Sequence, residues 1–341
     1  MTIYENQSLL LLNTFHIDAS ARYLVEINSE SDFLSLITDK KYIDSNKLVL
    51  GGGSNLLFTK DFNGIVIKNN LLGKELIKED DEHYYVKAGA GEVWHEFVVW
   101  CIKNNYAGLE NLSLIPGKVG ASPMQNIGAY GVEIKDLFKS LEALDMQTGE
   151  NVVFTNTQCE FGYRESVFKR KYKNRYFIKS VTFKLNKHPK FNTSYGAIEK
   201  ELEVMGVKEL SIKAISDAVI RIRSSKLPDP AQIGNAGSFF KNPEVPGAKY
   251  ESLKQGFPTV VGYPLENGNV KLAAGWLIEQ CGWKGKREGD AGVHINQALV
   301  LVNYGKAKGS EIYHLSSEIL KSVHDKFGVD LEREVNIYDH L

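Results

Sequence analysis

The residues best suited to chemistry fall in three strings. Asn235-Ala-Gly-Ser-Phe-Phe-Lys-Asn-Pro243 places one hydroxyl, Ser238, between a glycine and two phenylalanines, with Lys241 and Asn242 directly after. A glycine lets backbone approach a ligand closely. The aromatic pair would exclude water, and hydroxyl, ammonium and amide could then meet a polar group; an ordinary turn entering a core strand would carry the same residues. Gly51-Gly-Gly-Ser-Asn55 follows the apolar run Lys47–Leu50. A glycine-rich turn after a strand aims several backbone N–H groups at one point, which suits a pyrophosphate. It is not the Rossmann fingerprint, because Leu56 stands where the third glycine belongs, nor a P-loop, because no lysine follows at the required step. The third string, Leu114–Gly131, holds Gly117, Gly120, Gly128, Gly131, Pro116 and Pro123 together with Ser122, Gln125 and Asn126. Loops of that length in compact domains usually serve a function. Two glycine-dense loops with uncharged tips suit a large flat cofactor with a diphosphate tail; a ligand-free tight turn and a rigid domain connection are the structural alternatives.

Four further side chains stand out, each with an ordinary alternative. Arg164, in Phe161-Gly-Tyr-Arg-Glu-Ser-Val-Phe168, has aromatic flanks that would desolvate its planar fork for a carboxylate; a salt bridge to Glu165 is the common fate of such a residue. Tyr195 before Gly196 suits a mobile loop, Lys226 suits a phosphate, and Glu334 suits a catalytic carboxyl. Packing, solvent exposure and simple solvation explain these three equally well.

The elements that must hold these residues mix helix and strand. Lys47–Leu50, Gly64–Ile67, Tyr84–Lys87, Val152–Phe154, Tyr176–Leu185 and Ala298–Val302 read as strands, and residues 331–337 as an alternating terminal strand with Glu332, Glu334 and Asn336 on one face. Residues 92–104, 211–224, 273–281 and 310–327 read as helices; Pro228 and Pro230 block the second, and Gly282 and Gly328 stop the last two. Composition shifts suggest boundaries near 70 and 210. The chain has 341 residues, 43% hydrophobic and 24% charged, the balance of an ordinary soluble protein. Its net charge of −1 supplies no global attraction to nucleic acid or acidic membrane. Cys101, Cys159 and Cys281 are widely spaced and odd in number, which suits a reducing cytoplasm. No Cys-x-x-Cys occurs, and His95-Glu96 fails to become a zinc motif because Val99 replaces the second histidine, so no metal is expected. No signal peptide or membrane span is expected, and a monomer is.

Taken together, the strings resemble the UDP-N-acetylenolpyruvoylglucosamine reductase family, the flavin enzymes that complete UDP-N-acetylmuramate in bacterial peptidoglycan synthesis. The resemblance rests on Gly51-Gly-Gly-Ser-Asn55, Gly108-Leu-Glu-Asn111, Ile115-Pro-Gly117, Ser122-Pro-Met-Gln-Asn-Ile-Gly-Ala-Tyr-Gly131, Phe161–Ser166, Lys226-Leu-Pro-Asp229, Asn235–Pro243, Lys271–Ile278 and Leu331–Val335, in the family's order along nearly the whole chain. The stretches around Tyr195 and Tyr263 resemble the longer of the family's two forms. The resemblance implies an α+β fold: a two-lobed FAD-binding module of the vanillyl-alcohol-oxidase (PCMH) type plus an α+β substrate-binding domain. It divides the chain into residues 1–70, with 330–341 returning to them, then 71–210 and 211–329.

It also implies non-covalent FAD held by Gly51, Gly52, Gly53, Ser54, Asn55, Ile115, Pro116, Gly117, Ser122, Pro123, Gln125, Asn126, Gly128, Ala129 and Gly131. NADPH would be the reductant and UDP-N-acetylglucosamine enolpyruvate the substrate. Arg164 and a protonated Glu334, with Glu332 a candidate neighbour for raising its pKa, would stabilise the enolate-like state, and Ser238 would protonate it. Tyr195, Lys226, Asn242, Tyr263, Lys284 and Gln297 would contact phosphate or sugar. One departure is Arg333, where the family often has proline before the glutamate. The rival readings are a flavin oxidase on the same module, which needs neither Ser238 nor the lysines, and a nucleotide-binding protein without catalysis.

Overall fold

The computed structural model describes residues 1–339; His340 and Leu341, the end of the expected returning segment, lie outside the described residues. The chain forms two compact units. One comprises residues 1–7, 21–52 and 63–225, the other residues 8–20, 53–62 and 226–341. The boundaries read from composition near 70 and 210 both fall inside the first unit.

In the first unit, a four-stranded sheet has the order Thr2–Ser8, Ser20–Ile27, Phe62–Asn69, Lys47–Leu50, and a five-stranded sheet the order Asn151–Thr155, Phe138–Asp145, Tyr176–Asn186, His83–Gly89, Lys74–Glu79. The apolar run 47–50 pairs in parallel with Ile65–Lys68 before entering the glycine turn. Helix Trp94–Lys103 covers the five-stranded sheet because its apolar residues recur at helical spacing: Trp94, Phe97, Val98 and Cys101 are all buried. Each large apolar side chain so buried contributes about 1.5–3 kcal/mol. Trp94 also donates its indole N–H to Leu112 O at 2.9 Å, which ties the helix to the segment leading into the long loop. Helices Gly196–Val204 and Ile212–Lys226 share a core of Ile198, Leu202, Ile215, Ala218, Val219 and Ile222. The chain therefore crosses residue 210 without leaving this unit.

The second unit has a sheet in the order Gly234–Ser238, Val300–Asn303, Ala291–Val293, Arg287–Glu288, and a smaller one in the order Glu244–Pro246, Asn269–Leu272, Gly262–Pro264. Helix Gly309–Phe327 buries Ile312, Leu315, Ile319, Val323 and Phe327, and Gly328 ends it at φ 59°, a left-handed turn that glycine adopts without strain. Gly309 is required for space, since a Cβ there would lie 1.8 Å from Phe58 O.

The terminal strand is shorter than the alternation predicts. Only Asn336–Tyr338 forms a strand, in parallel register with Leu56–Phe58. Residues 331–335 run beside the Ser238 string instead, through a single antiparallel bridge between Phe240 and Arg333. Two partners in succession break what reads as one alternating run. Among the described residues, no helix is long and apolar enough to cross a membrane.

Candidate active site

The two glycine-rich loops meet in the first unit. A Cβ on Gly52 would lie 2.8 Å from Cα of Gly117, and one on Gly51 would lie 3.6 Å from Lys118 Cβ. Contact this close between backbones is possible only without side chains. The second loop is pinned along its length. Trp94 N–H donates to Gly117 O (3.1 Å), Val119 N–H to Glu92 O (2.9 Å) and Gly120 N–H to Ala90 O (3.0 Å). Further on, Gly128–Ala129 pairs with Val132–Glu133 around Tyr130 and Gly131, both with positive φ (51° and 79°), the pattern of a primed hairpin turn. Asn126, also left-handed at φ 47°, secures this hairpin by donating to Glu133 Oε2 (3.0 Å) and Gly162 O (2.9 Å).

These loops fit the diphosphate cofactor expected from the sequence. They offer a side-chain-free approach at Gly51, Gly52 and Gly117. Beside them the Ser122 hydroxyl is buried with no hydrogen-bond partner among the described residues. A buried polar atom left unpaired carries a desolvation cost of about 1–3 kcal/mol, which a polar ligand atom removes. The unit boundary falls between Gly52 and Gly53. Gly53 belongs to the second unit, where its φ of 64° and its Cβ position, 2.0 Å from Leu12 O, exclude any other residue.

Arg164 is anchored on the same hairpin. Its Nη2 donates to Gly128 O at 2.8 Å, its guanidinium carbon lies 5.4 Å from the Tyr163 ring centroid, and its own backbone is left-handed at φ 53°. Such a conformation costs on the order of 1–3 kcal/mol in a residue with a side chain and recurs at functional sites. Glu165, the acid beside it, accepts from Ser166 N–H at 3.0 Å, and Ser166 in turn donates to Met124 O at 2.6 Å.

A second cationic group, Arg223, lies in this unit and went unnoticed in the sequence. Its Nε donates to Leu114 O (3.2 Å). Burial pushes the Arg223 guanidinium down from its ordinary pKa, facing Tyr130 opposes this, and the Arg164 charge adds to it. The available signal was positional: Ser216, Val219 and Arg223 follow one another at i, i+3, i+7 on the stripe that buries Ile215 and Ile222. Polar residues on a buried stripe are the informative exceptions. Ser216 is satisfied by Ser113, with the two hydroxyls 2.7 Å apart.

In the second unit the Ser238 string ends a strand with a bulge. Gly234 and Asn235 pair with Asn303 and Val302, but Ser238 pairs with Val300 after a register shift. Gly237 supplies the required positive φ of 68°, and Asn235 Oδ1 accepts its N–H at 2.9 Å. Bulges re-aim side chains and recur beside active sites. Ser238 emerges half-buried at the turn from this strand, while Phe239 and Phe240 are buried in the core, Phe239 edge-on to Phe15 at 6.1 Å. Glu334 lies alongside: its N–H donates to Phe239 O at 2.8 Å, and Asn55 Nδ2 donates to Glu334 O at 3.4 Å. Three strings separated in sequence (Gly53–Asn55, Ser238 and Glu334) thus converge within one unit.

The other residues expected at the site have surroundings of their own. Glu332, the candidate neighbour of Glu334, has a partner. It is exposed and pairs with Lys241 at 2.6 Å. Asn242 Oδ1 accepts from Ala274 N–H at 3.0 Å, so only its amide N–H groups remain to donate. Lys284 forms a surface pair with Glu279 at 2.9 Å. Tyr195 and Tyr263 are 51% and 52% exposed, the former edge-on to Tyr130 at 5.4 Å, and Lys226 is exposed at the end of its helix. Gln297 Oε1 accepts from Leu299 N–H at 3.4 Å.

Comparison with known proteins gives this geometry a class. Residues 21–155 match the family model described as the FAD binding domain, and residues 229–338 match the C-terminal domain of UDP-N-acetylenolpyruvoylglucosamine reductase. The chain is therefore an FAD-binding flavoprotein of α+β fold, with the PCMH-type module that the resemblance implied. It is 52% identical over 338 residues to the UDP-N-acetylenolpyruvoylglucosamine reductase of Flavobacterium johnsoniae, covering 99% of this chain and 100% of that one. It is 50% identical over 334 residues to the reductase of Pseudomonas putida, covering 98% of each. The crystal structure of the reductase from Thermus caldophilus shares the fold, with a TM-score of 0.67 at 22% identity over 99% of this chain and 98% of that one. The chain belongs to the UDP-N-acetylenolpyruvoylglucosamine reductase family.

Proposed function

We propose that this protein reduces the enolpyruvyl group of UDP-N-acetylglucosamine enolpyruvate to give UDP-N-acetylmuramate, with NADPH as the reductant. The chemistry FAD supplies when bound is hydride transfer, from NADPH and then to the terminal carbon of the enolpyruvyl double bond. Gly51, Gly52, Ile115–Gly117, Ser122–Asn126 and Gly128–Gly131 hold the cofactor, with Gly53–Asn55. As hydride arrives, the π pair moves to the adjacent carbon and into its carboxylate. Arg164 and a protonated Glu334 donate hydrogen bonds that strengthen as this charge grows. Ser238 Oγ–H gives its proton to that carbon, and solvent restores the hydroxyl. A serine is a very weak acid, but the carbon anion is a base strong enough to take its proton. Lys226 and Lys284 offer ammonium groups to phosphate. Tyr195 and Tyr263 offer exposed rings, and Asn242 and Gln297 half-buried amides, to the nucleotide sugar. The three free thiols suit a cytoplasmic setting.

The observation that carries this reading is the apposition of Ser238 and Glu334, joined through the 2.8 Å bond from Glu334 N–H to Phe239 O at a bulge that turns one serine out of a sealed core. Stopped-flow absorbance tests it. Ser238→Ala should bleach with NADPH at nearly the wild-type rate and recover colour with the enolpyruvyl substrate at least about 100-fold more slowly, the usual range for a lost proton donor. Equal losses in both half-reactions would remove the assigned role.

A further inference from the structure

The His95-Glu96 pair fails as a metal motif, yet His95 occupies a telling place in the fold. It lies on the first turn of helix Trp94–Lys103, and its Nδ1 accepts the N–H of Leu114 at 3.0 Å. A backbone amide can only donate, so the neutral ring carries its proton on Nε2. Leu114 is a branched residue in the left-handed region at φ 58°, a conformation that bulky L-residues avoid. Both peptides flanking it are held from outside, one by His95 and the other by Arg223 Nε donating to Leu114 O at 3.2 Å. Ile115, Pro116 and Gly117 follow at once, and Gly117 makes the closest approach to Gly52. The N–H of Trp94, the residue before His95, donates to Gly117 O at 3.1 Å.

We propose that His95 is a positioning residue for the flavin: as an uncharged acceptor it locks the Leu114 peptide, and through it the Ile115–Gly117 loop, so that FAD affinity falls on acidification. This rests on the reading that the two glycine-rich loops hold FAD. A protonated imidazole has no acceptor. Its Nδ1–H would face the Leu114 N–H, donor against donor, and the strained residue would lose its restraint. The charged groups facing the ring act in opposition. Arg223, from helix Ile212–Lys226, disfavours the imidazolium, whereas Glu96, which also faces Lys118, favours it. Burial first, then Arg223, holds the ring below its ordinary 6.5. The clamp is therefore complete at neutral pH and is lost as pH falls below 6.5 through that lowered value.

The test is the FAD dissociation constant of the full-length chain, read from flavin fluorescence between about pH 8 and about pH 5.5. Wild type should bind progressively more weakly toward the acid end, by up to about ten-fold, the loss of roughly one hydrogen bond. His95→Asn places an amide oxygen where Nδ1 was and cannot titrate; it should keep the high-pH affinity and show no acid weakening. His95→Ala should bind about ten-fold more weakly at every pH, with circular dichroism confirming its fold. The proposal is overturned if His95→Asn shows the wild-type pH slope, or if a folded His95→Ala binds FAD as wild type does. Should His95→Ala not fold, the His95→Asn slope alone decides. A wild-type chain that binds no FAD at any pH would instead remove the reading of the loops, and the inference with it.

Discussion

Arg333, directly before Glu334, has a task in the structure that a proline at its place could not perform. Its Nε donates to Ser316 Oγ at 2.8 Å and its Nη2 to Ser317 Oγ at 2.7 Å, while its guanidinium carbon lies 4.4 Å from the Tyr313 ring centroid. All three partners lie on helix Gly309–Phe327. The residue thereby fastens the segment carrying Glu334 to the longest helix of its unit. Its amide is not needed for pairing with Phe240, since the flanking bonds run from Lys241 N–H to Glu332 O and from Glu334 N–H to Phe239 O. The strand pairing therefore places no demand on the Arg333 amide, and its side chain is what fastens the segment. Arg333→Ala removes two charge-assisted bonds, each worth about 1 kcal/mol net for a half-buried group, and a cation–π contact worth about 1 kcal/mol. The sum, about 3 kcal/mol, corresponds to a melting midpoint lower by roughly 6–12 °C for a unit of this size. Arg333→Lys keeps the charge but loses the planar fork, and should fall between the two. Thermal denaturation by circular dichroism reads the first effect. Stopped-flow absorbance reads the second: substrate-driven reoxidation should slow, because Glu334 loses its support, while bleaching by NADPH should not. A midpoint within about 1 °C of wild type for Arg333→Ala would refute the energetic argument. A normal reoxidation rate in a destabilised variant would refute the positional one.

Two further outcomes follow from burial and close approach. Gly52→Ala would place its Cβ 2.8 Å from the Gly117 backbone, which cannot move aside like a side-chain tip; FAD should bind at least about ten-fold more weakly by fluorescence titration, and wild-type affinity would show that the two loops need not touch. Burial pushes the Cys159 thiol up to about 12 and Cys101 well above its ordinary value. Neither should react with a disulfide reagent in the native protein at neutral pH, and both should react once it is unfolded.

The fold was legible wherever one kind of periodicity ran unbroken against one partner. Trp94, Phe97, Val98 and Cys101 announce their helix, and Lys47–Leu50 its strand. Residues 331–337 alternate convincingly, yet they pair first with Phe240 and then with Leu56–Phe58, because a local pattern carries no information about how many neighbours will share it. Residue type marked Ser238, Gly237 and the paired glycines, whose constraints are local. It could not show that Lys241 and Asn242 are also engaged by Glu332 and Ala274, partners about 90 and about 30 positions away that only the folded chain reveals. Arg223 and His95 were missed or set aside for the complementary reason: each acts on the Leu114 backbone, and a backbone acceptor or donor leaves no mark in a sequence.

The pairing of Asn336 with Asn55, 281 residues apart, has a bearing on how the molecule comes into being. A ribosome releases the 331–338 stretch after everything it will touch, so Glu334 is the last of the three proposed catalytic side chains to be delivered. A nascent chain halted shortly before that point would already hold both glycine-rich loops and Ser238. It would lack the carboxyl group and the parallel strand that ties Leu56–Phe58 in place. Contacts spanning so much of the chain form late and slowly. Reductase activity would therefore switch on only once that stretch has been made, well after the loops proposed to hold the cofactor.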